Sequence, residues 1–271
     1  VHGGGNELRR KAVYGQFRRV HRKVRLRDDG YVQCGILSFP YGRGEVGLLV
    51  KARMPEPDLA GGSSALPLYR EVCDLVKDKP HFVLTTNVDH QFWKAGFADE
   101  EIFATQGDYG EIQCAKGCHD KVYDTVDLFL EMDQTREDCK IPSSLVPKCP
   151  VCGGNMAMHL RCDQYFVEEE HWHEAAARYA DFLKANRNKR VVLLELGVGF
   201  NTPTIIRFPF EKMVRENEKW SLIRLNLDEA VVPESLGRRA VGINEDIARS
   251  IEDIKGSMDV DRYGKGEDCD D

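Results

Sequence analysis

The chain has 271 residues, a net charge of −7, 42% hydrophobic and 31% charged residues, which suits a soluble globular protein of one large or two small domains. The acidic balance argues against general nucleic-acid affinity. No apolar run approaches the ~18 residues needed to span a membrane and no secretory leader is visible, so a cytoplasmic protein is expected. The chain opens on Val1 rather than Met, as a fragment of a longer protein does.

Taken in order, the chain is not homogeneous. Residues 1–66 carry 12 Lys+Arg against 6 Asp+Glu, whereas the rest carries 26 against 39. The first part lacks a clean period, and "RRKAVYGQFRRVHRKVRLR" reads as a basic arm or a solvated segment. "PEPDLAGGSSALP" reads as a linker. From Pro67 the pattern becomes regular. "LYREVCDLVKD" has helical spacing and "HFVLTTN" is a short apolar strand. "FATQGDYGEIQC" (Phe103 to Cys114) looks like a strand end breaking into a polar turn. Glu170–Asn188 is a strong amphipathic helix. "RVVLLELG" is a near-continuous apolar strand, as in a buried parallel sheet. "TPTIIRFPFEKMVREN" resumes a helix with Pro203 near its start, "WSLIRLN" is a strand and "NEDIARSIEDIK" a last helix. Such alternation predicts an α/β fold. The predicted organisation is an atypical, poorly ordered segment at 1–66, a Rossmann-like domain at 67–112 and 154–255, a zinc-binding module at 113–153 and an acidic tail at 256–271.

Cys114 and Cys118 in "CAKGC", then Cys149 and Cys152 in "CPVC", make two knuckles with 30 residues between them. That spacing suits a tetrahedral four-thiolate zinc site; in a leader-free chain it favours metal over disulfides. His119 is the alternative ligand, its default reading being a solvated neighbour. Cys73, Cys139 and Cys162 lack partners at ligand spacing. The histidines of "HWH" (His171, His173) do not share a helix face, and the acids before them suit a helix start.

In doubly wound sheets, ligands bind at the carboxyl ends of the strands. Here those ends read Thr85-Thr86-Asn87-Val88-Asp89, Thr105-Gln106-Gly107-Asp108, Gly197-Val198-Gly199-Phe200-Asn201-Thr202 and Asn226. Each is small or polar. "ELGVGFNTP" lets backbone approach a phosphate or ribose closely, with a helix start behind it.

Together these stretches resemble the sirtuins over roughly residues 67 to 255. "TTNVD" is similar to the family's Thr-Gln-Asn-Ile-Asp phrase, with Thr86 in place of Gln; "GVGFNTP" is similar to its Gly-Thr-Ser phrase; "GINEDI" resembles its adenine-side loop. "TNVDHQF", "TQGDYG", "CPVCGG", "FVEEEHWH" and "ELGVGFNTP" jointly resemble the macrodomain-linked, class M branch. The resemblance implies a Rossmann-like parallel sheet with a small zinc-ribbon insert. It implies NAD as cofactor beside zinc, with Thr86, Asn87 and Asp89 at the nicotinamide pocket and Gly197, Gly199, Asn201 and Asn226 holding the rest. Gln106 falls where ordinary sirtuins carry a catalytic histidine. A glutamine amide only donates and accepts hydrogen bonds; it cannot take the ribose proton that deacylation requires. Asn87 and Gln106 are therefore the catalytic candidates for protein mono-ADP-ribosyl transfer. The resemblance implies a lipoyl-carrying glycine-cleavage-H-like protein as acceptor and a macrodomain hydrolase as partner. An NAD-dependent deacylase and a non-catalytic zinc-binding module are the alternatives.

The family's Gly-rich phosphate loop and first strand are missing, so this chain is expected to bind NAD poorly and to be inactive as a fragment. Synonymous codons for Cys34–Arg53, read one base later, permit a segment resembling the one the family carries there. Residues 1 to about 64 then read as an out-of-frame translation. Sequencing the coding DNA checks this: the +1 frame is expected to be open and to encode the family's segment, and stop codons there would end the idea.

Overall fold

The computed structural model describes residues 65–135, 141–200 and 203–263. The basic segment, the frame question, Cys139, Asn201 and the last eight residues of the acidic tail lie outside the described residues. The described residues fall into two units, one of residues 106–170 and one of 65–105 with 171–263, each treated by itself.

The larger unit begins with helix α1 (Pro67–Val76), Pro67 standing in its first turn, where a missing N–H costs nothing. Strand β1 (Val83–Thr85) follows, then the one-turn helix α2 (Gln91–Lys94) and strand β2 (Ile102–Ala104), which pairs parallel with β1. After the second unit the chain returns as α4 (Glu170–Asn186), β6 (Val191–Leu196), α5 (Arg207–Glu216), β7 (Trp220–Asn226), β8 (Ala240–Asn244) and α6 (Ile247–Tyr263). Strands β6, β7 and β8 form a parallel sheet in that order.

The apolar run of β6 is explained by two covered faces. Leu193 and Leu222 meet Ile206, Phe210 and Val214 around α5. Their neighbours Leu194, Leu196, Ile223 and Leu225 point the other way and meet Val72 and Leu75 of α1 and Ile251 of α6. Two residues break the apolar pattern, and they face each other in register: Glu195 and Arg224. Both side chains are fully buried. Arg224 Nε donates to Glu195 Oε1 at 2.7 Å and Nη2 to Glu195 Oε2 at 3.0 Å. Nη2 also reaches Glu211 Oε1 of α5 at 2.9 Å, and Nη1 donates to the Val231 carbonyl. Burial pushes the Glu195 carboxyl up, and the bidentate Arg224 opposes that. Nearby, the buried Arg207 donates to the carbonyls of Val198 (3.0 Å), Glu229 (3.0 Å) and Val231 (3.1 Å).

Three elements differ from the sequence expectation. The helix expected from "TPTIIRFPFEKMVREN" starts only at Arg207, because the chain around Pro203 makes a wide turn closed by Phe208 N–H on the Pro203 carbonyl at 2.9 Å. Strand β8 was not expected; its "AVGIN" is short and carries a glycine, a weak strand signal. The last helix starts at Ile247 rather than among Asn244–Asp246, since Asp246 Oδ1 accepts the N–H groups of Ala248 and Arg249 and so caps it.

The second unit holds β3 (Gly107–Cys114), β4 (Val122–Asp124), α3 (Val126–Gln134) and β5 (Met156–Leu160), with antiparallel order β4-β3-β5. "GDYGEIQC", expected as a polar turn, is thus an eight-residue strand. The reason is local. A register shift lies between Asp108 and Ile112, where Asp108 Oδ1 accepts Gly110 N–H at 2.6 Å. Polar Gln113 is buried and acts as a surrogate strand edge: its Oε1 accepts Val167 N–H at 2.9 Å and its Nε2 donates to the Tyr165 carbonyl at 2.6 Å. Phe129, Met132, Met156, Met158 and Leu160 fill the interior.

Removing Arg224 strips the buried Glu195 of its bidentate partner and leaves it only the more distant Arg207, at 3.9 Å. Arg224→Met is expected to destabilise the larger unit by about 3–5 kcal/mol in denaturant unfolding. A loss below ~1 kcal/mol would show that the pair is not a structural requirement.

Candidate functional site

The four cysteines converge. Their Sγ atoms all lie within 4.8 Å of one another, with Cys114 to Cys152 at 3.8 Å and Cys118 to Cys149 at 3.5 Å. Two tight turns set this up. Gly117 N–H returns to the Cys114 carbonyl and Gly153 N–H to the Cys149 carbonyl, both at 2.9 Å, and Ala115 N–H bonds Asn155 across the two knuckles. Cys114 and Cys149 are buried, Cys118 and Cys152 exposed. Burial opposes a Cys114 thiolate, yet backbone N–H groups of Cys118 and Lys116 outweigh it and pull its pKa down to about 6. Cys118 is pushed up, by burial and then by the neighbouring thiols. Thiols this close cannot all ionise without a cation to share, and four sulfurs in this spacing fit a tetrahedral zinc ion. His119 sits with Nδ1 3.1 Å from Cys118 Sγ and Nε2 2.8 Å from the Tyr123 hydroxyl; it stands outside the four-sulfur cluster.

Gln106 opens this same unit, between β2 and β3. Its carbonyl accepts Arg161 N–H at 3.0 Å. Gly107 after it has φ +91° and could carry no side chain, since a Cβ would lie 1.9 Å from the His159 carbonyl oxygen. His159 is buried, with Nδ1 3.0 Å from Glu111 and Nε2 2.8 Å from the Val167 carbonyl. The backbone beside Gln106 is therefore closely held.

In the larger unit, two groups of the expected residues come together. At the end of β1, Asn87 N–H bonds Thr85 Oγ1 at 3.0 Å, and Asp89 Oδ1 accepts Gln91 N–H at 3.3 Å at the start of α2. The turn between them passes through His90, whose φ of 59° is left-handed and whose ring stacks on Trp93. Thr86 lies on the same turn. Tyr69 of α1, a residue the motifs did not single out, links both: Asn87 Nδ2 donates to its hydroxyl at 2.9 Å, and that hydroxyl faces Asp89 Oδ2 at 3.4 Å. Burial, then the Asp89 charge, pushes the Tyr69 phenol up, so it stays protonated at neutral pH.

At the ends of β6 and β7, a cavity of about 310 Å³ is lined by Leu68, Gly197, Asn226, Leu227, Asp246 and Ile247. It lies at the low end of the ~300–1,000 Å³ of small-ligand pockets. Gly197 has φ +67°, and a Cβ there would press on Ile247 Cδ1 at 3.3 Å. At Gly199 a Cβ would meet Glu229 Oε2 at 3.0 Å, and the same carboxylate oxygen lies 3.3 Å from Phe200 N–H. Asn226 ties the rim together: Nδ2 donates to the Val198 carbonyl and Oδ1 accepts the N–H groups of Asp228 and Glu229. Open glycine backbone at Gly197, beside the polar Asn226 and the acidic Glu245 and Asp246, suits a sugar bearing hydroxyl donors, and the residues present fit the nucleoside part of a dinucleotide.

The comparisons agree with this architecture. The chain is 32% identical over 184 residues to a protein ADP-ribosyltransferase of Staphylococcus aureus, an alignment that takes in 68% of this chain and 58% of that protein. It is 34% identical over 160 residues to a probable bifunctional ADP-ribose hydrolase/ADP-ribosyltransferase of Fusarium oxysporum f. sp. cubense, 56% of this chain and 27% of that one. The chain thus spans little more than half the length of the first relative and about a quarter of the second. A structure of Sir2 bound to acetylated peptide superposes with a TM-score of 0.50 at 18% identity, over 73% of this chain and 72% of that one. A Sir2 homolog–NAD complex gives 0.50 at 14% identity, over 72% and 65%. No protein-family model matches the chain. The fold is a sirtuin fold: a mixed α/β architecture with parallel Rossmann-like strands and a four-cysteine cluster. Among the described residues, no helix is long and apolar enough to cross a membrane.

The purified chain is expected to carry one zinc ion, read by metal analysis, and Cys149→Ser to lose it. Acid should weaken zinc binding, because the thiolates that hold the metal are the groups that a falling pH protonates. Retention of full zinc by Cys149→Ser would remove the four-thiolate assignment.

Proposed function

We propose that this chain is an NAD-dependent protein mono-ADP-ribosyltransferase of the sirtuin type, cytoplasmic, with NAD and zinc as its cofactors. The observation that carries the reading is its 32% identity to a protein ADP-ribosyltransferase across two thirds of its length. When bound, NAD supplies an ADP-ribosyl group, with nicotinamide as the leaving group. The residues of this chain divide the remaining work. In this reading Thr86, Asn87 and Asp89 hold the nicotinamide end, where Asn87 orients a ribose hydroxyl by hydrogen bonding. Gly197, Gly199, Asn201 and Asn226 hold the rest of NAD. Gln106, in the other unit, is considered on its chemistry alone. Its amide neither takes nor releases a proton near neutrality, so it orients groups and does not act as a base. Deacylation needs such a base; transfer to an acceptor that brings its own nucleophile does not. The acceptor in this reading is a lipoyl-carrying glycine-cleavage-H-like protein. A macrodomain hydrolase reverses the modification, a pairing supported by the Fusarium relative, whose name joins hydrolase and transferase.

Incubation with labelled NAD and a lipoylated carrier protein tests this. Label is expected on the carrier, with Asn87→Ala lowering the rate by ~100-fold or more. Acyl-ADP-ribose from an acylated peptide, with no label on the carrier, would instead make the chain a deacylase.

A further inference from the structure

We propose that Tyr69 is a positioning residue that sets the polarity of the Asn87 side chain; the inference rests on the reading of Asn87 as part of the NAD site. The Asp89 carboxylate can only accept, so the Tyr69 hydroxyl, 3.4 Å from Asp89 Oδ2, must donate to it. Having spent its one proton there, the Tyr69 oxygen can only accept from Asn87, 2.9 Å away. Asn87 must therefore turn its NH2 end to Tyr69 and present its carbonyl oxygen on the other side. The charge on Asp89 biases the Asn87 amide against the flip that its two nearly isosteric ends would otherwise allow. The other Asp89 oxygen is occupied by Gln91 N–H, which fixes the carboxylate that begins the relay.

The consequence is chemical. A carbonyl oxygen presented to the site accepts from hydroxyl groups, so it can grip a ribose hydroxyl or a water; an NH2 presented there could not accept. Tyr69 is held in place independently of this role. Its ring packs edge-on against Phe92, with centroids 4.9 Å apart at 80°, and its backbone N–H bonds the Leu66 carbonyl at the start of α1. Tyr69→Phe therefore deletes the relay and keeps the packing.

The test has two arms on the full chain. In the first, without NAD, hydrogen exchange of the Asn87 side-chain NH2 is followed by NMR, its resonances assigned by their absence in Asn87→Ala. Exchange is expected to speed up several-fold in Tyr69→Phe; unchanged exchange would overturn the link. In the second, nicotinamide release from NAD is measured with the lipoylated carrier present. Tyr69→Phe is expected to lower kcat ~10-fold with the calorimetric Kd for NAD within about twofold, and to add nothing in the Asn87→Ala background. A wild-type kcat in Tyr69→Phe, or an equal loss in both backgrounds, would overturn the proposal. Absence of nicotinamide release by the wild-type chain would defeat the functional reading instead, and the exchange arm would then decide the Tyr69–Asn87 link by itself.

Discussion

The larger unit is organised around one buried ion pair. Glu195 on β6 and Arg224 on β7 are register partners in a parallel sheet whose strands are otherwise largely apolar. A carboxylate or guanidinium placed there alone would be costly, so each must find its full set of partners. The bidentate bond between them uses both carboxylate oxygens. The remaining guanidinium valences go to Glu211 on α5 and to the Val231 carbonyl. That requirement fixes the axial position of α5 on the sheet and the path of the chain after β7. Arg207 then repeats the arrangement one layer out, gripping carbonyls on both loops that leave the strand ends. Loops held by charge-assisted bonds to buried cations cannot drift, and these are the loops beside the cavity at Gly197 and Asn226.

How much of this was legible in the sequence depends on the range of the interaction. The helices α1 and α4 and the strands β6 and β7 follow from spacing within a dozen residues. The four cysteines were legible because thiolates at knuckle spacing have few other uses. The residues at the strand ends could be proposed as ligand contacts because doubly wound sheets put their ligands there. What stayed hidden depends on register. "VVLLEL" reads as an apolar strand with one odd acid, and nothing local says that Arg224, 29 residues on, stands opposite it. Tyr69 was invisible for the same reason: its role exists only because α1 places its hydroxyl between two residues of the β1 turn. "GDYGEIQC" was misread because Gln113 spends its polarity on residues 165–167, more than fifty positions away.

The two units solve the problem of placing polar groups in different ways. In the larger one, buried charge is neutralised by charge, and polar side chains such as Asn226 replace missing backbone partners at the loop bends. In the smaller, Gln113 and His159 stitch an irregular segment to a strand edge, and the cysteine cluster calls for a cation to neutralise it. The smaller unit is thus the more dependent on an added ion. Its interior residues Phe129 and Met132 are fully buried, but the knuckles themselves hold only short turns and sulfur.

That dependence bears on Gln106. A residue whose chemistry is limited to hydrogen bonding works only through placement, because it has no proton to exchange and no charge to project. Its backbone meets Arg161 on one side, and Gly107 packs against the His159 carbonyl on the other, on strands β3 and β5 whose far ends carry Cys114 and Asn155 beside the cluster. The close packing around Gly107 holds the backbone at Gln106 in place, and a tetrahedral metal at the knuckles would brace the far end of the same strand.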